Sequence, residues 1–531
     1  MRLFINFLTM YKKKLNVNIF LYSILIFFSF FINFYYANIG VFPIDTFAFF
    51  DTAYNILIDR HPFRDIWITT GPVVDYFQAF FFKVFGLNWY SYVIHSSFLN
   101  AAFSIFFFLT LRKFDLDKYL SFFYSLSFSI LGYTVSGTPF AYLHSYILSL
   151  SAFLIFIRCI KFRSNYCYFF LPIFLFFAFF SMQNPSTFFI LIISTLLIVN
   201  FFFSLKTTNL LSLISGTIFS LIIFYVYLNL TDVSIQNIWN QYFLFPLSIG
   251  EYRTAGNDIA HISLAGRATW RNIFGHFKFI DFFIFLYLVI TTIAIYKKRI
   301  SNEDIIINLS FILMGLSLIF NQLITSNQTY IFSIIPFLGG FFHIFYKKYL
   351  NNAKKFNFFI FILVLFCTVK YHLEYNEKRK FMDLQNVDLK YYEKGNNLDK
   401  KLNGLKWASN FPDKKKEIYL LKEAKNLIVN EAKSKMVLTE YQIFSILAEQ
   451  NLNIPNRWYT HDNNSYPLKN HKYFSIYKEH INKIMVKENV QIIFTIDPVN
   501  LENFYIYFDN FCFNKTKLNP ILYSYKKISC N

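Results

Sequence analysis

The sequence predicts an α-helical polytopic membrane protein with about eleven transmembrane helices, followed by a C-terminal soluble α/β domain. Hydrophobic residues make up 55% of the 531 positions and charged residues only 15%, which is more apolar than a soluble core requires. The apolar residues are also grouped into long stretches along the first 370 positions. Beyond Val369 the hydropathy falls, and the composition becomes that of a soluble domain.

A bilayer core about 30 Å thick needs roughly 20 apolar helical residues, and eleven stretches approach this length. The first stretch is too long for a signal-peptide core and lacks a small-residue cleavage site, so we expect it to remain as an anchor. The predicted spans are Ile19–Ala37, Tyr92–Leu111, Tyr119–Val135, Tyr142–Ile157, Cys167–Met182, Thr187–Leu205, Leu210–Leu230, Phe279–Tyr296, Ile305–Ile324, Tyr330–Phe345 and Phe356–Val369.

Lysine and arginine mark the connections that stay in the cytoplasm, and here they concentrate in four short loops. All four loops fall on the side of the N-terminus, which is therefore predicted to be cytoplasmic. An odd number of spans then places the tail outside. The basic residues concerned are Arg112, Lys113, Lys118, Arg158, Lys161, Arg163, Lys297, Lys298, Arg299, Lys347, Lys348, Lys354 and Lys355.

Two domains are expected: a membrane domain over residues 1–370 and an extracytoplasmic α/β domain over residues 371–531. The membrane domain has two long outward loops, 38–90 and 231–278, with amphipathic interfacial helices at Val73–Phe85 and Ile235–Phe245. In the tail we predict a helix after Asp413, strands at Met436–Thr439 and Gln491–Ile496, and a helix at Tyr473–Lys487. Cys512 and Cys530 lie in this exported part, where the compartment allows a disulfide.

The formal charge of +20 does not indicate a nucleic-acid partner. About half of the basic residues lie in the tail, where they alternate with acidic ones. The expected partners are membrane lipids and whatever the outward face binds.

The chemically suggestive pattern lies in the first outward loop. It contains Pro43-Ile44-Asp45-Thr46 just after the first span, and later Phe63-Arg64-Asp65. A carboxylate at this position lies where water meets the lipid headgroups. It can take a proton from an acceptor hydroxyl while a lipid phosphate departs as the leaving group. Arginine or lysine nearby can hold that phosphate.

The order and spacing of these residues resemble the first periplasmic loop of the GT-C superfamily of polytopic glycosyltransferases. The resemblance is nearest to the bacterial protein mannosyltransferase-like and aminoarabinose transferase-like enzymes, and it covers roughly residues 1–369. The family has Glu where this chain has Thr46. The matching positions are Asp45, Ala53, Phe63-Arg64-Asp65, Gly71-Pro72 and Phe85-Gly86.

The resemblance implies an enzyme of the bacterial inner membrane that uses a polyprenyl-phosphate sugar donor and a glycan, lipid or protein acceptor. Asp45 would be the general base of an inverting transfer. No cofactor is expected with certainty, and Thr46 in place of Glu gives no support for a divalent metal. The candidate substrate-binding residues are Arg64, Asp65, Gln183, Arg253 and Arg267.

The other polar residues have ordinary structural interpretations. Asp51 is expected on the solvated face of an interfacial helix. His144 is expected to hydrogen-bond within the bundle, and His95 and His343 to be satisfied polar residues between helices.

Three other functions fit parts of the pattern. An O-antigen-type polymerase or ligase is also polytopic and acts outward, but usually carries its basic residues in a late loop. A transporter or lipid flippase usually needs ionisable residues inside the bundle, whereas those here cluster at span ends. A non-catalytic receptor would not need Asp45.

Overall fold

A computed structural model describes residues 2–204, 206–257, 261–350 and 354–530 of the chain. Helices predominate in these residues, and every described strand lies after residue 392. Three parts can be distinguished: a helix bundle, two long loops at one end of it, and a tail over residues 372–530.

The bundle and its two long loops alternate along the chain. The first loop lies between α1 (Arg2–Ala37) and α5 (Trp89–Lys113) and contains α2 (Pro43–Thr46), α3 (Phe50–Leu57) and α4 (Val73–Phe85). There follow α6 (Lys118–Leu131), α7 (Ala141–Phe162), α8 (Asn165–Phe179), α9 (Gln183–Ser204) and α10 (Thr207–Thr231). The second loop contains α11 (Ile235–Ile238), α12 (Phe245–Ala255) and α13 (Leu264–Arg267), and the bundle ends with α14 (Lys278–Tyr296), α15 (Asn302–Ile324), α16 (Ile334–Tyr349) and α17 (Lys354–Tyr371).

Each of the eleven predicted spans coincides over most of its length with a described helix, which confirms a helical membrane protein. The tenth span begins four residues before α16, and Leu205 of the sixth lies outside the described residues. Eight of the described helices are long and apolar enough to cross a membrane, namely α1, α5, α7, α9, α10, α14, α15 and α17. The other three, α6, α8 and α16, have only 14, 15 and 16 residues. The count of eleven spans therefore remains a prediction.

The bundle is built around α7. In the apolar 18-residue stretch of this helix 94% of the residues are buried, whereas in the corresponding stretch of α10 only 11% are buried. α10 packs mainly on α8, where Gly216 comes so close to the backbone of Phe169 that a Cβ atom would lie 2.1 Å from its carbonyl oxygen. α10 is therefore a peripheral helix, and its interface with α8 includes this close approach of the two backbones.

Ion pairs tie the connections together at the end of the bundle opposite the long loops. Asp304, at the start of α15, is buried and accepts hydrogen bonds from Lys161 at 2.8 Å and from Lys348. Arg163 donates to Glu303 at 2.7 Å. Basic residues predicted to face the cytoplasm thus lie together at one end.

The tail is an α/β unit with a four-stranded sheet. Its strands, in their order across the sheet, are β3 (Lys435–Leu438), β4 (Ile492–Ile496), β6 (Leu522–Ile528) and β5 (Cys512–Lys517). β3 and β4 are parallel, and the other neighbouring pairs are antiparallel. A separate antiparallel pair is formed by β1 (Glu393–Lys394) and β2 (Lys406–Trp407). The remaining elements are α18 (Lys414–Asn430), α19 (Phe444–Ala448) and α20 (Phe474–Lys487).

These elements confirm the secondary structure predicted for the tail. The Asp413 side chain caps α18 by accepting from the backbone N–H of Lys416 at 3.0 Å. Both predicted strands are present as β3 and β4, and the predicted second helix is α20. Cys512 and Cys530 form a disulfide.

The tail and the first loop share one hydrophobic core, which includes Phe47 and Phe50 from the loop and Trp407 and Leu421 from the tail. Backbone hydrogen bonds reinforce this association. The N–H of Lys406 donates to the carbonyl of Asn38 at 2.8 Å, and other bonds join residues 40–41 and 67 to residues 406–408 and 455. The loop that carries Asp45 is consequently covered by the tail.

Arg379 anchors the start of the tail to the bundle. Its side chain is buried, and its guanidinium donates to the carbonyls of Thr134 at 2.9 Å, of Val135 at 3.2 Å and of Ser136. These carbonyls lie between α6 and α7, so the end of the bundle, the tail and the first loop are held together.

Candidate active site

Asp45 lies in α2, a single helical turn just beyond the end of α1. Pro43 begins this turn, where its fixed φ suits the first helical position and its missing N–H costs nothing. The Asp45 side chain is half-buried, and no residue of the described chain donates a hydrogen bond to its carboxylate. The carboxylate is therefore available to a substrate.

The environment of Asp45 raises its pKa to about 7. Burial is the main cause, because it disfavours the charged form, and repulsion from the carboxylates of Asp383 and Glu440 adds to it. Both of these residues belong to the tail. A carboxylate with a pKa near neutrality is a stronger base than an ordinary aspartate and is still partly deprotonated at pH 7.

Thr46 occupies the position where the resemblance leads one to expect Glu. Its hydroxyl accepts a hydrogen bond from the backbone N–H of Phe42 at 2.9 Å, and its side chain is buried. Thr46 thus closes the turn that presents Asp45, and the neighbouring acidic groups come from the tail instead.

Tail residues also contact the backbone of the Asp45 turn directly. The indole N–H of Trp458 donates to the carbonyl of Ile44 at 3.0 Å. Arg457, the preceding residue, is fully buried, with its guanidinium 4.3 Å from the ring centre of Phe49. The tail therefore fixes the position of the turn from both sides of Asp45.

A buried ion pair holds Arg457 in place. Its guanidinium donates to the carboxylate of Asp75 on α4 and to the hydroxyl of Thr70 at 2.6 Å. Thr52 on α3 also donates to Asp75. The pair joins two helices of the first loop to the tail, away from solvent.

Asp51 is buried, and the expectation that it lies on a solvated helix face is wrong. Its carboxylate accepts the backbone N–H groups of Ser445 at 3.0 Å and Ile446 at 2.9 Å, at the start of α19. The physical reason is that the tail covers α3 and presents these unpaired helix N–H groups to Asp51. Asp51 therefore joins the tail to the loop.

Arg64 and Asp65 form a compact structure in the first loop. The Arg64 side chain donates to Asp65 at 2.7 Å and to the carbonyl of Thr231 at 2.9 Å. Burial raises the pKa of Asp65, but hydrogen bonds from the His61 N–H and from Arg64 outweigh it and hold that pKa below its ordinary value. The structure places both residues between the two long loops, and their predicted substrate contacts remain predictions.

Gln183, the first residue of α9, connects the two long loops. Its side-chain amide donates to the carbonyl of Thr69 at 3.0 Å and to that of Tyr242 at 2.7 Å. These bonds use both amide hydrogens, while the side-chain oxygen is left for other partners. Its predicted contact with a substrate remains a prediction.

Arg253 and Arg267 lie together in the second loop. Arg267 is buried and donates to the carbonyls of Leu323 at 3.3 Å and Ile324 at 3.1 Å, and also to the carbonyl of Arg253. Arg253 donates to the side chain of Asn464 in the tail at 3.3 Å. The two arginines thus connect the second loop to α15 and to the tail, apart from the Asp45 turn in their described contacts.

The membrane-proximal histidines make hydrogen bonds inside the bundle, as expected. His95 and His144 bond to each other at 2.9 Å between their Nε2 atoms, and His144 also bonds to Tyr133. His343 bonds to Tyr124 at 3.2 Å. Each of these buried histidines therefore has a hydrogen-bond partner inside the bundle.

The acidic groups around Asp45 do not form a metal site. Among the residues that the structure describes, no three His, Cys, Asp or Glu side chains are arranged to hold a metal ion.

Comparison with known proteins does not assign the chain. No protein-family model matches it, and no curated protein matches it. The function has to be inferred from the site itself.

Sequence reasoning missed the contribution of the tail to this site. Asp383, Glu440, Arg457 and Trp458 lie more than 300 residues after Asp45 in the chain. The adjacent Arg457 and Trp458 in an otherwise polar segment were the available signal, because such residues are enriched where surfaces are buried against a partner. Their partner is the first loop of the same chain.

Proposed function

We propose that this protein is a membrane glycosyltransferase that moves a sugar from a polyprenyl-phosphate donor to an acceptor hydroxyl, with Asp45 as the general base. The observation that supports this most is the Asp45 carboxylate, which has no hydrogen-bond donor in the described chain and a pKa raised to about 7. Its position just beyond a membrane helix suits a lipid-linked donor.

In the proposed reaction Asp45 takes the proton of the acceptor hydroxyl as the hydroxyl oxygen attacks the anomeric carbon of the sugar. The bond between that carbon and the phosphate oxygen breaks, and polyprenyl phosphate leaves with the bonding electrons. Attack from the face opposite the leaving group inverts the configuration. The reaction takes place on the outer face if the predicted topology holds.

The rigid surroundings of the Asp45 turn also favour catalysis. Trp458, Thr46 and the core shared with the tail hold its backbone, so little reorganisation is needed when the acceptor binds. A receptor or structural protein has no need for a carboxylate held in this way with its charge left uncompensated.

The first test is the substitution Asp45→Asn, which keeps the size of the side chain and removes its basicity. Membranes from a host strain that lacks the native gene and expresses each variant are incubated with a panel of polyprenyl-phosphate hexoses. The release of polyprenyl phosphate and the transfer of labelled sugar are then measured. We expect at least a 100-fold loss of transfer, the lower end of general-base contributions.

The matched control is Asp388→Asn. Asp388 is an exposed tail aspartate that accepts only the backbone N–H of Lys390 at 3.0 Å. This variant should transfer sugar like the wild type. Transfer by Asp45→Asn at the wild-type rate, with equal protein in the membrane, would refute the general-base role. Transfer only when polyprenyl-diphosphate-linked oligosaccharides are supplied as donors, with release of polyprenyl diphosphate, would favour the polymerase or ligase alternative.

A further inference from the structure

A polar cleft lies between the second loop and the tail, outside the site around Asp45. It consists of two adjoining cavities of about 590 and 350 Å³, a size typical of ligand sites. Both cavities are lined by Tyr252 from α12 and by Asn463, Asn470 and His471 from the tail. Asn503 and Lys469 line the larger one.

The cleft presents several polar groups that have no partner among the described residues. The side chains of Asn470, Asn503 and Lys469 are exposed, and none of them makes a described hydrogen bond or ion pair. A primary amide carries a donor and an acceptor in one plane, which matches neighbouring hydroxyls of a sugar ring. The half-exposed ring of Tyr252 offers an apolar face for the C–H side of such a ring.

The charges in the cleft largely compensate each other. Glu251 pairs with Lys472 at 3.1 Å, and Glu502 pairs with Lys515 at 2.9 Å. Lys469 is the lining cation without a described partner. This balance suits a mostly uncharged, hydroxyl-rich ligand better than a polyanion such as a nucleic acid.

The walls of the cleft are held in place before any ligand binds. The ring of His471 bonds to the hydroxyl of Ser248 at 3.0 Å, joining the tail to α12. The Asn463 side chain accepts the backbone N–H of Leu468 at 2.8 Å, and Asn464 accepts from Arg253 at 3.3 Å. Pre-formed walls reduce the entropy that ligand binding would cost.

One segment of the tail connects the cleft to the Asp45 turn. Trp458 contacts the carbonyl of Ile44, and His461, three positions later, lines the cleft. Three residues span at most roughly 11 Å even when fully extended. A chain of a few sugar units in the cleft can therefore reach the neighbourhood of Asp45.

We propose that this cleft binds the acceptor, and that the acceptor is an oligosaccharide chain rather than a protein or a lipid. The identification as acceptor depends on the proposed function, whereas carbohydrate binding does not. Tyr252 stacks on one sugar, and Asn470 and Asn503 bond to its hydroxyls.

The test is direct binding by the purified full-length protein in detergent. The probe is a set of oligosaccharides released by mild acid from the envelope polysaccharide of the host, and binding is followed by titration calorimetry. The wild type should bind saturably. Tyr252→Ala and the double variant Asn470→Ala with Asn503→Ala should each weaken binding about tenfold or more, as expected for lost stacking or hydrogen bonds.

Matched controls use exposed residues of the same types elsewhere on the tail, Tyr419→Ala and Asn410→Ala, which should bind like the wild type. Size-exclusion chromatography verifies that every variant is folded. No binding by the wild type, or equal binding by the cleft variants, would overturn the proposal. Displacement of the oligosaccharide by inorganic phosphate would instead identify an anion site at Lys469 and overturn it as well.

The variant Asp45→Asn distinguishes a failure of the binding proposal from a failure of the proposed function. It should bind the oligosaccharides normally while failing to transfer sugar, and Tyr252→Ala should raise the acceptor KM with little change in kcat. If Asp45→Asn still transfers sugar, the general-base role is refuted. The binding data still decide whether the cleft binds oligosaccharides.

Discussion

The protonation of Asp45 depends first on its burial and then on two carboxylates that belong to the tail. Burial and repulsion from Asp383 and Glu440 together raise its pKa from 3.8 to about 7. In the proposed mechanism the base has to be deprotonated. Activity should therefore be present above pH 7 and be lost as the pH falls through about 7.

This dependence gives a pH prediction for Glu440→Gln. The substitution removes one repelling charge, so the pKa of Asp45 should fall and the acid limb of the pH–rate profile should move below pH 7. It should not reach the ordinary 3.8, because burial is the larger cause. Transfer from the polyprenyl-phosphate hexose panel between pH 4 and 9 measures the profile.

Asp388→Asn again provides the control, since this exposed carboxylate is not among the groups that act on Asp45. Its profile should coincide with that of the wild type. An acid limb that stays in place in Glu440→Gln would mean that another group titrates.

Two glycines differ in how closely a neighbouring helix packs against them. A Cβ atom on Gly216 of α10 would lie 2.1 Å from the carbonyl oxygen of Phe169, whereas nothing lies within 4 Å of one on Gly250 of α12. We predict that Gly216→Ala lowers the free energy of unfolding by about 1–3 kcal/mol, the usual cost of overpacking. Thermal unfolding of the purified protein in detergent measures this.

Gly250→Ala is the matched change in a helix without the close contact. It should be neutral or stabilise by about 0.5–1 kcal/mol, because alanine loses less backbone freedom than glycine in a helix. Equal effects of the two substitutions would show that α10 is not held against α8 by the close approach at Gly216.

The sequence was informative about elements because their patterns are local. Long apolar runs predicted every bundle helix, and the 3.6-residue period after Asp413 predicted α18. The same locality explains the error at Asp51. A helical pattern shows which face is polar, but not that residues about 390 positions later will cover it. Likewise, the sequence pattern identified the residues that are near Asp45 along the chain. It did not identify the tail residues that are near Asp45 only in the folded structure, such as Glu440 and Trp458.

At the scale of the whole molecule, the buried pair of Arg457 and Asp75 connects the tail to the first loop. Both side chains are fully buried. Removing one partner leaves the other charge without compensation, so we predict that Arg457→Met costs about 3–5 kcal/mol. Urea unfolding and limited proteolysis of the full-length protein in detergent should show early release of the tail.

Two further variants test the origin of this effect. Combining Arg457→Met with Asp75→Asn should recover part of the lost stability, because no buried charge remains. Lys478→Met breaks a more exposed pair with Asp509 and should cost only about 0–1 kcal/mol. If Arg457→Met costs no more than Lys478→Met, the buried pair does not hold the tail.

The contact between Trp458 and Ile44 can form only late in the synthesis of the chain. The two residues are 414 positions apart, and translation at about 5–20 residues per second separates their synthesis by roughly 20–80 s. During this interval the first loop has been made but lacks the tail half of its core. A nascent chain thus carries Asp45 in an incomplete site until the tail residues that complete the shared core have been synthesised.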